Sequence, residues 1–337
     1  MLNFAYINLK NLVYNAKNIK RLLGKEKFCA VVKADAYGHG AEKVAAALYA
    51  YADCYAVALT EEGVSLRLSG IDKDILVFNT VSREDVEIAV RYNLILTVAN
   101  ISTAKTVYSV AKDKKRRARV HIKVDTGMHR TGFTVNALDN VLRYFSDKRD
   151  AVNVEGLYTH LANPEDDTSV KMATALFLLA KDKVKSYNYK VISHISASGG
   201  ALKGVKSDMA RIGIMLYGYK PFYSDKIRLK PVMKVVAPVI ARNTLKTGES
   251  ALYGNLAAKE PTDLTLIRYG YADGLFRREK NGQFNNRCMD ITAVKIRTGG
   301  KFYTVMDNAD KTAKEYGTIS YEILVSAATR AEKIYIK

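Results

Sequence analysis

The chain has 337 residues, 48% of them apolar and 26% charged, a balance that excludes wholesale disorder and leaves room for two domains or a large barrel with an added module. Lys and Arg (53) outnumber Asp and Glu (34), and the formal charge of +19 is the one unusual number, pointing first to a nucleic acid or an anionic membrane surface. Three distant cysteines, Cys29, Cys54 and Cys288, exclude a disulfide framework or a paired thiolate metal site, and no uncharged apolar run approaches the roughly 18 residues of a bilayer span. No signal-peptide pattern is visible, so a reduced, cytoplasmic setting is the default expectation.

In chain order, Asn8 can cap a helix whose apolar positions Leu9, Leu12, Val13, Ala16, Ile19, Leu22 and Leu23 recur at helical spacing up to Gly24. Eight short apolar runs follow, at 28–34, 55–58, 75–78, 94–99, 119–124, 155–159, 191–196 and 209–214, with helical patterns between them such as 41–50, 84–91 and 168–185. Continuous apolar runs suit parallel strands buried on both faces. Eight βα repeats in about 220 residues predict a closed (β/α)8 TIM barrel, with an open doubly wound sheet as the alternative. Beyond about residue 225 the runs 232–241, 264–268, 291–296 and 301–306 are β-rich and separated by Gly, Asn and Asp turns. A helical pattern returns only at 311–316. The fold class is therefore α/β, a barrel over 1–225 followed by a smaller, mainly β domain over 226–337. The densest basic run, 112–119, carries no interleaved aromatics and precedes the fifth barrel strand, which places it at the amino-terminal end of the barrel.

Barrels of this class do chemistry at the carboxyl ends of their strands. The first strand run leads into Lys33, then Tyr37 and two glycines, which suits an amine that captures a carbonyl, although a lone lysine is more often a solvated one. The fifth ends at Lys123 with Arg130 soon after, the sixth at His160, the seventh at Ser198-Gly199-Gly200, and the eighth contains Arg211 and Gly213. Ser198 with the backbone N–H groups near Gly213 can cradle a phosphate. Singly, His160 reads as a core histidine, Arg211 as an ion-pair partner and the Ser-Gly-Gly segment as a turn. Together they form one rim.

The segment AVVKADAYGHG at 30–40 resembles the pyridoxal-phosphate attachment segment of alanine racemases, which are fold-type III enzymes. The resemblance continues through KVDTGMHRTG (123–132), MARIGIMLYG (209–218), LYG (252–254), GYADG (270–274), CMD (288–290) and TISYEI (318–323). It implies an enzyme that binds pyridoxal 5'-phosphate and interconverts L- and D-alanine, supplying D-alanine for peptidoglycan. It also implies a homodimer with shared active sites, in which the C-terminal domain completes the partner subunit's site.

By the same resemblance, Lys33 holds the cofactor and is the base on the D face, and Tyr253 from the second subunit is the base on the L face. A planar carbanion that loses a proton from one face must regain one on the other for racemisation. His160 lies beside the cofactor, and Arg211 donates to the pyridine nitrogen, which makes the ring a weaker electron sink. Tyr37, Ser198, Gly213, Ile214 and Tyr321 match phosphate-binding positions. Arg130, Met289 and Tyr271 match positions near the substrate, and Lys123 matches a lysine that is carbamylated in many members.

Three positions depart from the family pattern. Ala197 replaces the usual Asn, Gly199 replaces a small Ala, and Asn285-Asn286-Arg287 stands for Gly-Arg-Val, displacing or replacing the arginine of the substrate entrance. Competing readings are a serine or broad-specificity racemase, a non-catalytic pyridoxal-phosphate protein of the same barrel type, a related decarboxylase and, on charge alone, a nucleic-acid binder. Neither a nucleic-acid nor a membrane partner is the expectation.

Overall fold

The computed structural model describes residues 2–79, 82–253, 256–277 and 287–337. The chain opens with a strand, β1 (Phe4–Asn8), and the helix Leu9–Leu23, capped by the Asn8 side chain, which accepts the Asn11 N–H at 2.8 Å. Eight strands then build the barrel: β2 (Lys27–Val31), β3 (Cys54–Val57), β4 (Ile75–Val77), β5 (Ile95–Val98), β6 (Ala118–Lys123), β7 (Val152–Tyr158), β8 (Ile192–His194) and β9 (Met209–Ile212). Each of β2 to β7 is hydrogen-bonded in parallel to the next, and β9 returns to pair with β2. Between β8 and β9 the ring is closed by one bridge, Ala197–Arg211, with Arg211 N–H donating to the Ser196 carbonyl at 2.9 Å and Asp208 N–H to that of Ser193 at 3.0 Å. The sheet is a nearly closed (β/α)8 barrel, as the eight apolar runs predict. β4 and β5 are buried along their whole length, the property that gave them continuous apolar sequences.

The second domain contains β10 (Met233–Leu245), the short hairpin β11 (Ser250–Ala251) and β12 (Leu256–Ala257), β13 (Thr262–Ile267), β14 (Thr292–Val294), β15 (Phe302–Met306), helices Ala309–Tyr316 and Ser320–Ser326, and β16 (Glu332–Ile336). Its main sheet runs β14-β13-β10-β1-β16, with β15 beside β10. The first strand of the chain thus lies in the last domain, antiparallel to β10 and parallel to β16. Buried hydrogen bonds tie the start of the chain into this domain and the domain to the barrel. The Asn3 amide donates to Asp273 at 3.0 Å, and Ala309 N–H donates to the Tyr219 hydroxyl at 2.9 Å. Among the described residues no helix is long and apolar enough to cross a membrane.

Two cations of the basic run pair with acids. Lys114 meets Glu87 at 3.0 Å, and Arg119 meets both Asp74 and Glu155 at 2.8 Å, at the amino ends of the strands and opposite to the rim where Lys33 and Arg211 gather.

Candidate active site

Lys33 leaves β2 on an unusual turn. Ala34, Asp35, Ala36 and Tyr37 all have φ of 51–54° and ψ of 43–54°, one turn of left-handed helix within the segment Lys33–Gly38. For L-residues this conformation costs about 1–2 kcal/mol each, so the surroundings must hold it. The His39 Nδ1–H donates to the carbonyls of Ala36 (3.0 Å) and Tyr37 (2.8 Å), and Asp35 accepts the Ala41 N–H at 2.7 Å while pairing with Lys333 at 2.9 Å. Ala34 N–H donates to a Glu62 oxygen at 2.5 Å. Gly40, at φ 91°, passes so close to Tyr335 that a Cβ would stand 1.9 Å from its hydroxyl. The last strand of the second domain therefore braces the Lys33 turn. Burial, and then the charge of Arg130, hold the Lys33 amine below the ordinary lysine pKa, with Glu62 pulling it back up.

Arg211 projects from β9 into the barrel, 3% exposed. Its NH1 donates to His194 Nδ1 at 2.8 Å and to the His194 carbonyl at 2.7 Å. Its NH2 donates to the Thr159 carbonyl at 2.6 Å and lies 3.4 Å from His160 Nδ1. Four donors are thus engaged, and Nε–H is left without a partner among the described residues. Because guanidinium only donates, His194 Nδ1 must be the acceptor, so its Nε2 carries the proton and donates to His121 Nδ1 at 2.9 Å. His194 also stacks on Tyr158, with centroids 4.8 Å apart and planes 6° from parallel. Burial and then Arg211 hold His160 down to about 3, burial and then Arg119 hold His121 down to about 3, and burial and then Arg211 hold His194 well below 6.5. All three imidazoles are neutral near pH 7.

A second cluster sits where β8 and β9 end. Ser198 opens the short helix Ser198–Lys203, and its hydroxyl lies 3.3 Å from the Gly213 N–H. Ile214 begins a 3-10 turn, Ile214–Tyr217. A Cβ on Gly213 would be 2.4 Å from the Tyr37 hydroxyl, so only glycine admits the phenol here. The Tyr37 and Tyr321 rings are 6.1 Å apart, and burial raises both phenols, Tyr321 to about 12, so both stay protonated donors. Neutral hydroxyl and backbone N–H donors beside a glycine gap suit a phosphate.

Lys123, at the end of β6, donates to the Thr131 hydroxyl at 2.5 Å, and burial followed by the charges of Arg130 and Arg211 brings its amine down to about 8. Arg130 is exposed on a loop whose start is fixed by Asp125, which accepts the N–H groups of Gly127, Met128 and His129 at 2.9–3.1 Å. Three sequence-predicted residues lie elsewhere. Tyr253 (88% exposed), Met289 and Tyr271 are on the surface of the second domain, and among the described residues no hydrogen bond or ring contact joins them to Lys33 or Arg211.

The alanine racemase N-terminal domain matches residues 7–221 and the alanine racemase C-terminal domain residues 232–335. The chain belongs to the alanine racemase family. It is 32% identical to the alanine racemase of Staphylococcus epidermidis, over 98% of this chain and 94% of that one, and 32% identical to that of Aquifex pyrophilus, over 97% and 96%. The solved alanine racemase of Clostridium difficile 630 superposes with a TM-score of 0.92 at 31% identity, covering all of this chain and 96% of that one. Membership makes the chain an enzyme of alanine racemisation.

Among the departures from the alanine racemase pattern, the surroundings of Gly199 and Arg287 are defined by packing. Gly199 lies under Pro164, whose Cγ would be 2.6 Å from a Cβ, so the smaller residue accommodates the proline and the loop stays tightly packed. Arg287 points inward. It is buried, bonded to the Thr292 hydroxyl at 3.0 Å and the Phe276 carbonyl at 3.2 Å, with Tyr269 and Tyr316 against its guanidinium. Asn285 and Asn286 lie outside the described residues. Sequence reading missed His121, His194 and Glu62. The histidines stand in β6 and β8, two of the strands that the apolar runs already marked.

Proposed function

We propose that this chain interconverts L- and D-alanine with pyridoxal 5'-phosphate, through proton transfer on both faces of Cα. The observation that carries the proposal is buried Arg211, whose Nε–H has no hydrogen-bond partner among the described residues, within the same rim as a lysine of lowered pKa and a neutral phosphate cradle. The residues present fit the coenzyme. Ser198, Gly213, Ile214, Tyr37 and Tyr321 would hold the phosphate, Arg211 Nε the ring nitrogen, His160 one side of the ring, and Lys33 the aldehyde carbon. When bound, the coenzyme supplies an aldehyde to capture the amino group of alanine and a conjugated ring to accept the electron pair left at Cα.

The Lys33 Nζ takes or returns the Cα proton on the D face, and its lowered pKa keeps more of the amine free near neutrality. Tyr253 is exposed on the second domain, without a hydrogen bond or ring contact to Lys33 among the described residues, and in this reading the Tyr253 hydroxyl of a second copy works on the L face, so that the active form is a homodimer. Met289 and Tyr271, on the same domain, accompany it, and Arg130 receives the substrate carboxylate. Arg211, a fixed cation, keeps the ring nitrogen from holding a proton and so limits how long negative charge persists at Cα. The Lys123 amine, free in part near neutrality, is open to carbamylation by CO2, which would turn a cation into an anion beside Arg130. The barrel over 1–225 and the domain over 226–337 would then meet across the dimer at each site. The D-alanine formed would serve peptidoglycan synthesis in the cytoplasm.

In deuterated buffer with pyridoxal phosphate, D-alanine is expected to exchange its α-proton and yield L-alanine, and Lys33→Ala to lose both reactions. Full activity in Lys33→Ala would overturn the assignment.

A further inference from the structure

Glu62 lies on a different element from Lys33, the helix Thr60–Leu68 that follows β3. Its two oxygens have separate tasks. Oε2 accepts the N–H groups of Ala58 (2.8 Å) and Leu59 (3.1 Å), rooting the side chain at the helix start. Oε1 reaches across to the Ala34 N–H at 2.5 Å, the peptide group joining Lys33 to the left-handed turn. A helix start needs only the first of these contacts. The second ties the helix to a strained segment that local sequence preference does not favour.

We propose that Glu62 is a positioning residue for Lys33: one carboxylate oxygen is anchored in the neighbouring helix, and the other fixes the peptide group from which the Lys33 side chain departs. Its charge has a second effect. Burial and then the charge of Arg130 lower the proton affinity of the Lys33 amine, and the Glu62 charge acts against both. The inference rests on the reading of Lys33 as the coenzyme lysine for its effect on turnover, but not for its effect on the amine itself.

Glu62→Gln separates the two tasks. A glutamine oxygen can still accept at the helix start, while its amide NH2 would face the Ala34 N–H donor to donor. The apoprotein is treated with acetic anhydride across pH 6–10 and acetylation at Lys33 is followed by peptide mass spectrometry. The Lys33 midpoint is expected about half a pH unit or more lower in Glu62→Gln. In the pyridoxal-phosphate-loaded enzyme, kcat is expected to fall about tenfold or more with KM for alanine changed less than about threefold. Melting should stay within a few degrees of the parent. A folded Glu62→Gln with the parent's Lys33 midpoint and kcat would mean that Glu62 only caps a helix. If Glu62→Gln does not fold, Glu62→Asp decides: it keeps the charge but is one methylene short, so its midpoint should stay near the parent's while kcat drops, and parental kcat sinks the proposal. Lys33→Ala retaining racemase activity would instead defeat the coenzyme reading, leaving the acetylation result to stand alone.

Discussion

His39, His121 and His194 are fully buried, and their partners dictate their tautomers. His39 donates from Nδ1 to two carbonyls of the Lys33 turn, whereas His194 accepts at Nδ1 from Arg211 and passes a hydrogen bond to His121. Burial is the leading cause that brings His39 to about 4 and His121 to about 3, against about 6.5 in an unfolded chain. The sign follows directly. Below pH 6.5 the unfolded chain takes up protons that the folded one refuses, so stability is complete above 6.5 and falls as pH drops toward 4, by up to about 1.4 kcal/mol per pH unit for each histidine. Burial pushes the Asp125 carboxyl up, but three backbone N–H donors more than offset it, so this group titrates below that window. Thermal melts at pH 7.5, 6 and 5 are expected to show a progressive loss below 6.5. An unchanged melting temperature from 7.5 to 5 would contradict neutral buried imidazoles.

At the scale of elements, the Lys33 turn and β16 are one device. β16 carries Lys333, which pairs with Asp35, and Tyr335, which fills the space over Gly40. Gly40→Ala would force a Cβ into the Tyr335 hydroxyl at a positive φ, a cost of about 1–3 kcal/mol. The penalty should be smaller in a Tyr335→Phe background, where the hydroxyl is gone. Denaturation of the four proteins of that cycle tests the contact, and identical penalties in both backgrounds would show that β16 does not press on the turn. The barrel strands were legible because burial on both faces writes itself as continuous apolar sequence, as at Ile75–Val77 and Ile95–Val98. β1 and β16 were not, because each is five residues long and its partners lie hundreds of residues away. Nor was the left-handed turn legible. Ala-Asp-Ala-Tyr has no local reason to leave the right-handed region, and contacts from distant residues such as Glu62 and Lys333 help to hold it there. The rim residues Lys33, His160, Ser198 and Arg211 were found because barrel geometry says where strand ends go, whereas Glu62 looked like any surface acid.

On the scale of the whole molecule, the excess of +19 has resolved into local uses. Arg119 closes the amino end of the barrel against Asp74 and Glu155, Arg287 is packed inside the second domain, and Lys33, Lys123 and Arg211 meet at the opposite rim. Under the proposed mechanism one chain supplies the lysine face of the alanine site, while its own Tyr253 stands exposed on the second domain. That mechanism requires two copies, each giving a lysine to its own barrel and a tyrosine to the other's. Mixing the inactive variants Lys33→Ala and Tyr253→Phe, with exchange of subunits, tests this most directly. In a hybrid dimer the Tyr253→Phe barrel keeps its own Lys33 and receives an intact Tyr253 from its companion, so one of the two sites is whole. Random exchange makes half of the dimers hybrids, and racemase activity is predicted to recover to about one quarter of the parent's. If the mixture remains as inactive as either variant alone, the two residues do not meet across a dimer, and the shared-site mechanism is wrong.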